Sequence, residues 1–118
     1  MLNSSDPRVF LPLSSSAFYI LLALAHGDRH GYSISKEVEE STDGVVRLGP
    51  GTLYRIIKQM VVDGWITEVQ DDAPGDPRRR PYRLTAWGRR VACAEAERLA
   101  SAVRVARDRK LLSAGAFA

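Results

Sequence analysis

At 118 residues, 45% apolar and 26% charged, the chain has room for one domain with one core, its composition is ordinary for a soluble globular protein, and it holds no repeat or low-complexity segment. The net charge is +3, with 14 Arg against 3 Lys; arginine suits phosphates and base edges, but genomic composition bias explains such an excess equally well, so position has to decide. A single cysteine, Cys93, excludes an intramolecular disulfide framework, and the longest apolar run, Ala17–Ala25, is far short of the roughly 20 residues of a membrane span. The N-terminal residues have no basic region followed by a long apolar stretch, so no signal peptide is expected and the chain is expected to be cytoplasmic.

Residues 1–12 hold two prolines and no period, and read as a flexible arm. Ser14, Ser15 and Ser16 offer N-caps for a helix over Ala17–His26 that is apolar nearly all round, and Gly27 ends it. A helix without a polar face is buried on several sides, in a chain this small partly by a second copy. His30-Gly31-Tyr32 opens a second helix through about Ser41, with Tyr32, Ile34 or Ser35, and Val38 inward. Thr42-Asp43-Gly44 reads as a turn. In LGPGTLYRIIKQMVVDGWI (48–66), Gly49 caps, Pro50 starts and Gly64 stops a third helix, with Leu53, Ile56, Ile57, Met60 and Val61 inward. Trp65–Gln70 and Arg78–Thr85 alternate as two strands around a charged turn, Asp71–Pro77. Thr85 caps a last helix from Ala86 to about Leu112, roughly 40 Å long. Its Ala92, Ala96, Leu99, Val103 and Ala106 form a 4-3-4-3 seam suited to another helix, and residues 113–118 form a frayed tail.

The expected fold is therefore mainly α with a small β-hairpin: a winged helix-turn-helix over 13–85 followed by a C-terminal dimerisation helix over 86–112. The third helix leaves Gly51, Tyr54, Arg55, Lys58 and Val62 on one outward stripe. Arg55 can read guanine bidentately, Tyr54 and Lys58 can reach phosphate or base, and Thr52 offers a hydroxyl and an N–H at the positive helix end. Any solvated helix face carries such residues, and Tyr54 can equally pack its ring against the wing or the first helix. Arg78, Arg79, Arg80 and Arg83 sharpen the reading: four arginines in six residues repel one another unless an anion offsets them. The acids Asp71, Asp72 and Asp76 lie on the outgoing side of the hairpin, so pairing cannot easily satisfy all four, and the wing points to phosphates or a minor groove.

Metal and catalytic sets are not expected. His26 and His30 are split by Gly27, and no Ser-His-Asp spacing, phosphate loop or carboxylate pair is visible, so neither cofactor nor enzyme activity is anticipated. Cys93 reads as a small packed or idle side chain. Trp65 and Trp87 flank the hairpin as core residues, although a Trp at a subunit junction can line a pocket for a flat molecule.

The segments LLALAHGDRHGYSISKEVEE, LGPGTLYRIIKQMVVDGWI and RRRPYRLTAWGRRV together resemble the PadR family of bacterial transcriptional regulators, over about residues 13–92. The marks are His30-Gly31-Tyr32, Pro50-Gly51-Thr52-Leu53-Tyr54, Gly64 before Ile66, and Tyr82-x-Leu84-Thr85-x-x-Gly88; the lone helix after the wing resembles the family's shorter subgroup. The resemblance implies a homodimer built on the first and last helices, repression through a pseudo-palindromic operator, and in some members release by aromatic or lipophilic effectors between the subunits. Phe18, Trp87, Leu99 and Val103 are the candidates for that junction, and Thr52, Tyr54, Lys58 and the wing arginines for the family's DNA contacts. Arg55 departs from the Pro of many members, Gly49 from a capping side chain and Pro81 from a frequent aromatic. The alternative is a winged-helix module that docks a protein and never touches DNA.

Overall fold

A computed structural model describes residues 5–70 and 79–113. The elements are a 3-10 turn (Pro7–Phe10), α1 (Ser15–Ala25), β1 (Arg29–His30), α2 (Gly31–Ser41), α3 (Pro50–Val62), β2 (Ile66–Glu68), β3 (Pro81–Leu84) and α4 (Ala86–Asp108). The mainly helical winged helix-turn-helix expected from the pattern is present. Three helices build one side, and a small antiparallel sheet in the order β1-β3-β2 closes it.

The helix boundaries have local chemical causes. The Ser14 hydroxyl accepts from the Ala17 N–H, a His30 ring nitrogen from the Ser33 N–H, and the Thr85 hydroxyl from the Gly88 N–H. Gly49 offers no capping side chain, and Pro50 at the first helical position needs no N–H partner. Three helices end on the same closure, with a left-handed residue after the cap. At α3 it is Gly64 (φ 77°), with Trp65 N–H donating to the Met60 carbonyl and Gly64 N–H to Val61. At α2 it is Asp43 (φ 51°) and at α4 Lys110 (φ 62°), which closes through Leu111 N–H to the Ala106 carbonyl. This closure stops α4 at Asp108, four residues short of the expected Leu112, and Leu111 beyond it is 76% exposed.

Ile20, Leu21 and Leu24 of α1, Ile34 and Val38 of α2, and Leu53, Ile57 and Met60 of α3 meet at the centre with Trp65, Ile66, Tyr82 and Val91. Two inward assignments, Tyr32 and Val61, need correction, while Ile56 packs against the core as expected. Tyr32 is 70% exposed, because the buried stripe of α2 runs Gly31, Ile34, Val38 and leaves it outside. On α3 the stripe is Leu53, Ile57, Met60; Ile56 is half-buried and Val61 exposed. The hairpin is also not alone. β3 pairs on its far side with β1, Arg29 facing Tyr82 and His30 facing Pro81, so the wing is rooted in the strand that leads into α2.

The described part of the expected loose arm is a packed turn. Asp6 caps it by accepting from Arg8 N–H, and Phe10 sets its ring edge-on to Trp65 at 5.4 Å and Trp87 at 6.1 Å. The Leu13 N–H donates to the Glu95 carboxylate, which is buried in α4 and also accepts from Arg98 Nε.

Candidate nucleic-acid interface

The helix-turn-helix is made by α2 and α3, joined by residues 42–49. Thr42 holds the joint: its hydroxyl accepts from the Val46 N–H and donates to the Val38 carbonyl. Arg47, exposed in the same link, lies 3.6 Å from Glu39. Past that joint the outer side of α3 presents Gly51, Thr52, Arg55 and Lys58, all exposed, on the flank opposite Leu53, Ile57 and Met60. Among the described residues no carboxylate lies within ion-pair distance of Arg55 or Lys58. Neither cation is therefore committed to an acid of the described residues. Gln59 lies on the same exposed face, between Thr52 and Arg55 in angle, and donates to the Asp63 carboxylate.

Tyr54 differs from its neighbours. It is half-buried, and its ring lies across Gly31 at the start of α2. The ring packs against α2, a support outside the packing alternative of wing or first helix.

The three described wing arginines sit in distinct environments. Arg83 is bound by Asp28 through two hydrogen bonds, of 2.7 and 3.0 Å, and that carboxylate is held below its usual range by the Arg83 guanidinium. Arg80 lies 3.6 Å from Glu68 on the facing strand, with both side chains about half exposed. Arg79 is exposed with no carboxylate near it among the described residues. Arg78, and the acids Asp71, Asp72 and Asp76 that are the alternative partners of the cluster, lie outside the described residues. The partners of Arg83 and Arg80 thus come from the α1–β1 turn and from β2. Neither signal was local in sequence, since Asp28 and Arg83 are 55 positions apart.

Arg29 is a second internal staple missed by pattern: Nε donates to the Ala23 carbonyl, Nη1 to Ser33 Oγ, and Nη2 lies 3.7 Å from Glu37. It fastens α1 to α2.

The residues expected at a subunit junction sit on α1 and α4. Phe18 is half-buried beside Tyr19, with ring centroids 6.3 Å apart. Trp87 is covered by Phe10 and by the Arg90 guanidinium, 5.2 Å from its ring centre. Leu99 is 38% exposed and Val103 half-buried, both beyond the last buried residue of α4, Glu95. A groove of about 740 Å³ opens between the N-terminal turn and α4, lined by Asp6, Arg8, Arg89, Arg90, Cys93 and Glu97 among others. Cys93 is exposed there, not packed.

Residues 20–94 match the model of the transcriptional regulator PadR-like family. A 37.1 kDa protein carried by a transposon of Streptomyces fradiae is 33% identical over 81 residues, covering 69% of this chain and 22% of that protein. A protein of Lysinibacillus sphaericus is 31% identical over 74 residues, 59% of this chain and 64% of that one. The chain thus spans under two thirds of either relative. Among solved structures, a PadR family transcription regulator of Clostridium difficile is 24% identical with a TM-score of 0.67, covering 80% of this chain and 97% of that one. Bacillus subtilis PadR, in complex with operator DNA, is 22% identical with a TM-score of 0.59, covering 75% of this chain and 48% of that one. These two likenesses are of fold.

Proposed function

The chain belongs to the PadR-like family of transcriptional regulators, and from that premise we propose that it binds DNA sequence-specifically as a homodimer, laying α3 in a major groove and the wing along the adjacent backbone. The observation that carries this reading is the exposed stripe of Gly51, Thr52, Arg55 and Lys58, whose cations have no acid within ion-pair distance among the described residues, together with the exposed Arg79. A helix of this exposure suits a groove about 12 Å wide, and paired cations would have to give up a partner first. The fold shared with Bacillus subtilis PadR, whose structure is a complex with operator DNA, supports DNA as the partner. Arg55 is assigned to a base edge, Thr52 and Lys58 to phosphate or base, and Arg78, Arg79 and Arg80 to phosphates or the minor groove.

The finer reading is a repressor on a pseudo-palindromic operator, released by an aromatic or lipophilic effector held between subunits near Phe18, Trp87, Leu99 and Val103. Fluorescence anisotropy with a labelled fragment of the chain's own upstream region tests the DNA reading. Affinity should fall steeply between about 50 and 200 mM salt as counterions are released. Tight binding that survives loss of Arg55, Lys58, Arg79 and Arg80 together would overturn the face assigned. Quenching of Trp65 or Trp87 by a panel of aromatic compounds tests the effector, and a flat response across the panel counts against it.

A further inference from the structure

Gly31 is buried at the first position of α2, and a Cβ built on it would lie 2.5 Å from Tyr54 Oη and 2.8 and 2.9 Å from two carbons of the Tyr54 ring. The ring therefore occupies the space a side chain would take, and it does so from the outer half of α3. Directly before Gly31 runs β1, whose Arg29 and His30 pair with Tyr82 and Pro81 of the wing strand. The path from recognition helix to wing is thus short: α3, Tyr54, Gly31, β1, β3.

We infer that Gly31 and Tyr54 form a latch that holds the α3 stripe and the wing arginines at one fixed spacing, so that Tyr54 acts as a positioning residue and not as a reader of bases. The inference rests on the DNA-binding reading above. Tyr82, the β3 residue that pairs with Arg29, is buried in the core against which Tyr54 also packs, so both ends of the path rest on one cluster. Gly31 has no positive φ, so alanine is allowed there by the backbone and is the better helix former. A loss on Gly31→Ala therefore reports the displaced ring and not backbone strain.

The test is a set of affinities on the tightest duplex selected from a random-sequence pool. Tyr54→Phe keeps the ring and should bind within about threefold of wild type, whereas Tyr54→Ala should weaken binding by about tenfold or more, or 1.4 kcal/mol. Gly31→Ala should weaken it similarly, flatten the salt slope, and add nothing once Tyr54 is alanine. In the Gly31→Ala background Arg79→Ala should cost nothing further, because helix and wing no longer engage together; a merely structural glycine would leave those two costs additive. A Tyr54→Phe loss as large as that of Tyr54→Ala would make the hydroxyl a DNA contact and overturn the latch. If Gly31→Ala does not fold, the two Tyr54 variants carry the test.

A DNA-free readout separates the two readings. Spin labels at Val62→Cys and Gln70→Cys, in a Cys93→Ser background, should give a narrow distance distribution that broadens with Tyr54→Ala; an unchanged distribution sinks the latch. Absence of any duplex binding by the wild-type chain sinks the DNA reading, and the latch is then judged on these distances alone.

Discussion

At the scale of single residues, exposure and charge divide the arginines into structural and available ones. Arg83 and Arg29 are bound into the fold, whereas Arg55 and Arg79 face outward. Arg55→Ala should therefore relax sequence choice by about 1–3 kcal/mol at one base pair, read from binding to a set of single-base operator variants. Arg79→Ala should weaken all duplexes alike and lower the salt slope by about one. Equal discrimination before and after Arg55→Ala would remove that residue from the base edge. Gly88 makes a stability prediction: a Cβ there would overlap the backbone carbonyl oxygen of Trp65, which cannot rotate away. Gly88→Ala should cost about 3 kcal/mol or more by urea unfolding, and a cost under about 1 kcal/mol would mean the α4–β2 junction is looser than its packing implies. Glu95 contributes a pH dependence. Burial raises its carboxyl, but Arg98 and the Leu13 N–H outweigh burial and hold it below the ordinary value of 4.5. A depressed carboxyl stabilises the fold above that value, and the contribution is lost as pH falls through the folded one. Glu95→Gln should therefore destabilise the chain at neutral pH and flatten the acid limb of a stability–pH curve; parallel curves for the two proteins would show that Glu95 does not titrate with folding.

At the scale of elements, what was legible in the sequence followed periodicity and caps. α3 begins at Pro50 and closes on Gly64 as its punctuation implies, because both residues act through their own backbone and need no distant partner. β1 carried no such signal. Two residues, Arg29 and His30, have no period, and their pairing to Pro81 and Tyr82 is settled only when the wing folds against them. The same non-locality hid the Asp28–Arg83 and Leu13–Glu95 bonds, so the available and the committed cations of the wing were not separable by spacing. Tyr54 could be placed on a stripe but not given its support, since a glycine in another helix supplies it. The N-terminal turn had a weak local mark, Asp6 as cap before Pro7, too short to outweigh the absence of a period. Its packing is strong enough to measure. Phe10 seals the edges of Trp65 and Trp87 while remaining 37% exposed, so Phe10→Ala should cost about 1–2 kcal/mol and shift the tryptophan emission to the red. An unmoved spectrum would mean the turn does not shield the indoles.

At the scale of the whole molecule, α4 runs 23 residues, about 35 Å, yet its buried positions are Gly88, Val91 and Glu95, all in its first half. The remainder carries Leu99 and Val105 exposed, and α1 carries Leu22 exposed. A helix extending that far without a face to cover gains little from propensity alone, and tertiary packing is what ordinarily holds such a segment. The proposed homodimer supplies that packing and also serves the reading of DNA, because two recognition helices separated by one turn of B-DNA, about 34 Å, must be held by a common frame. Linkage then ties association to binding: if only the dimer engages both half-sites, removing the seam should cost more affinity than removing one contact residue. Leu99→Glu with Val103→Glu places four charges in the seam of a dimer. Sedimentation at micromolar concentration should then report a monomer, and operator affinity should fall by more than a factor of about 200, beyond the effect expected for Arg55→Ala. The α-helical signal should persist through residue 95 and fray after it, visible as loss of amide protection confined to the second half of α4. A wild-type chain that sediments as a monomer under the same conditions, or a charged seam that leaves operator affinity unchanged, would remove the frame and require each winged helix to bind its half-site alone.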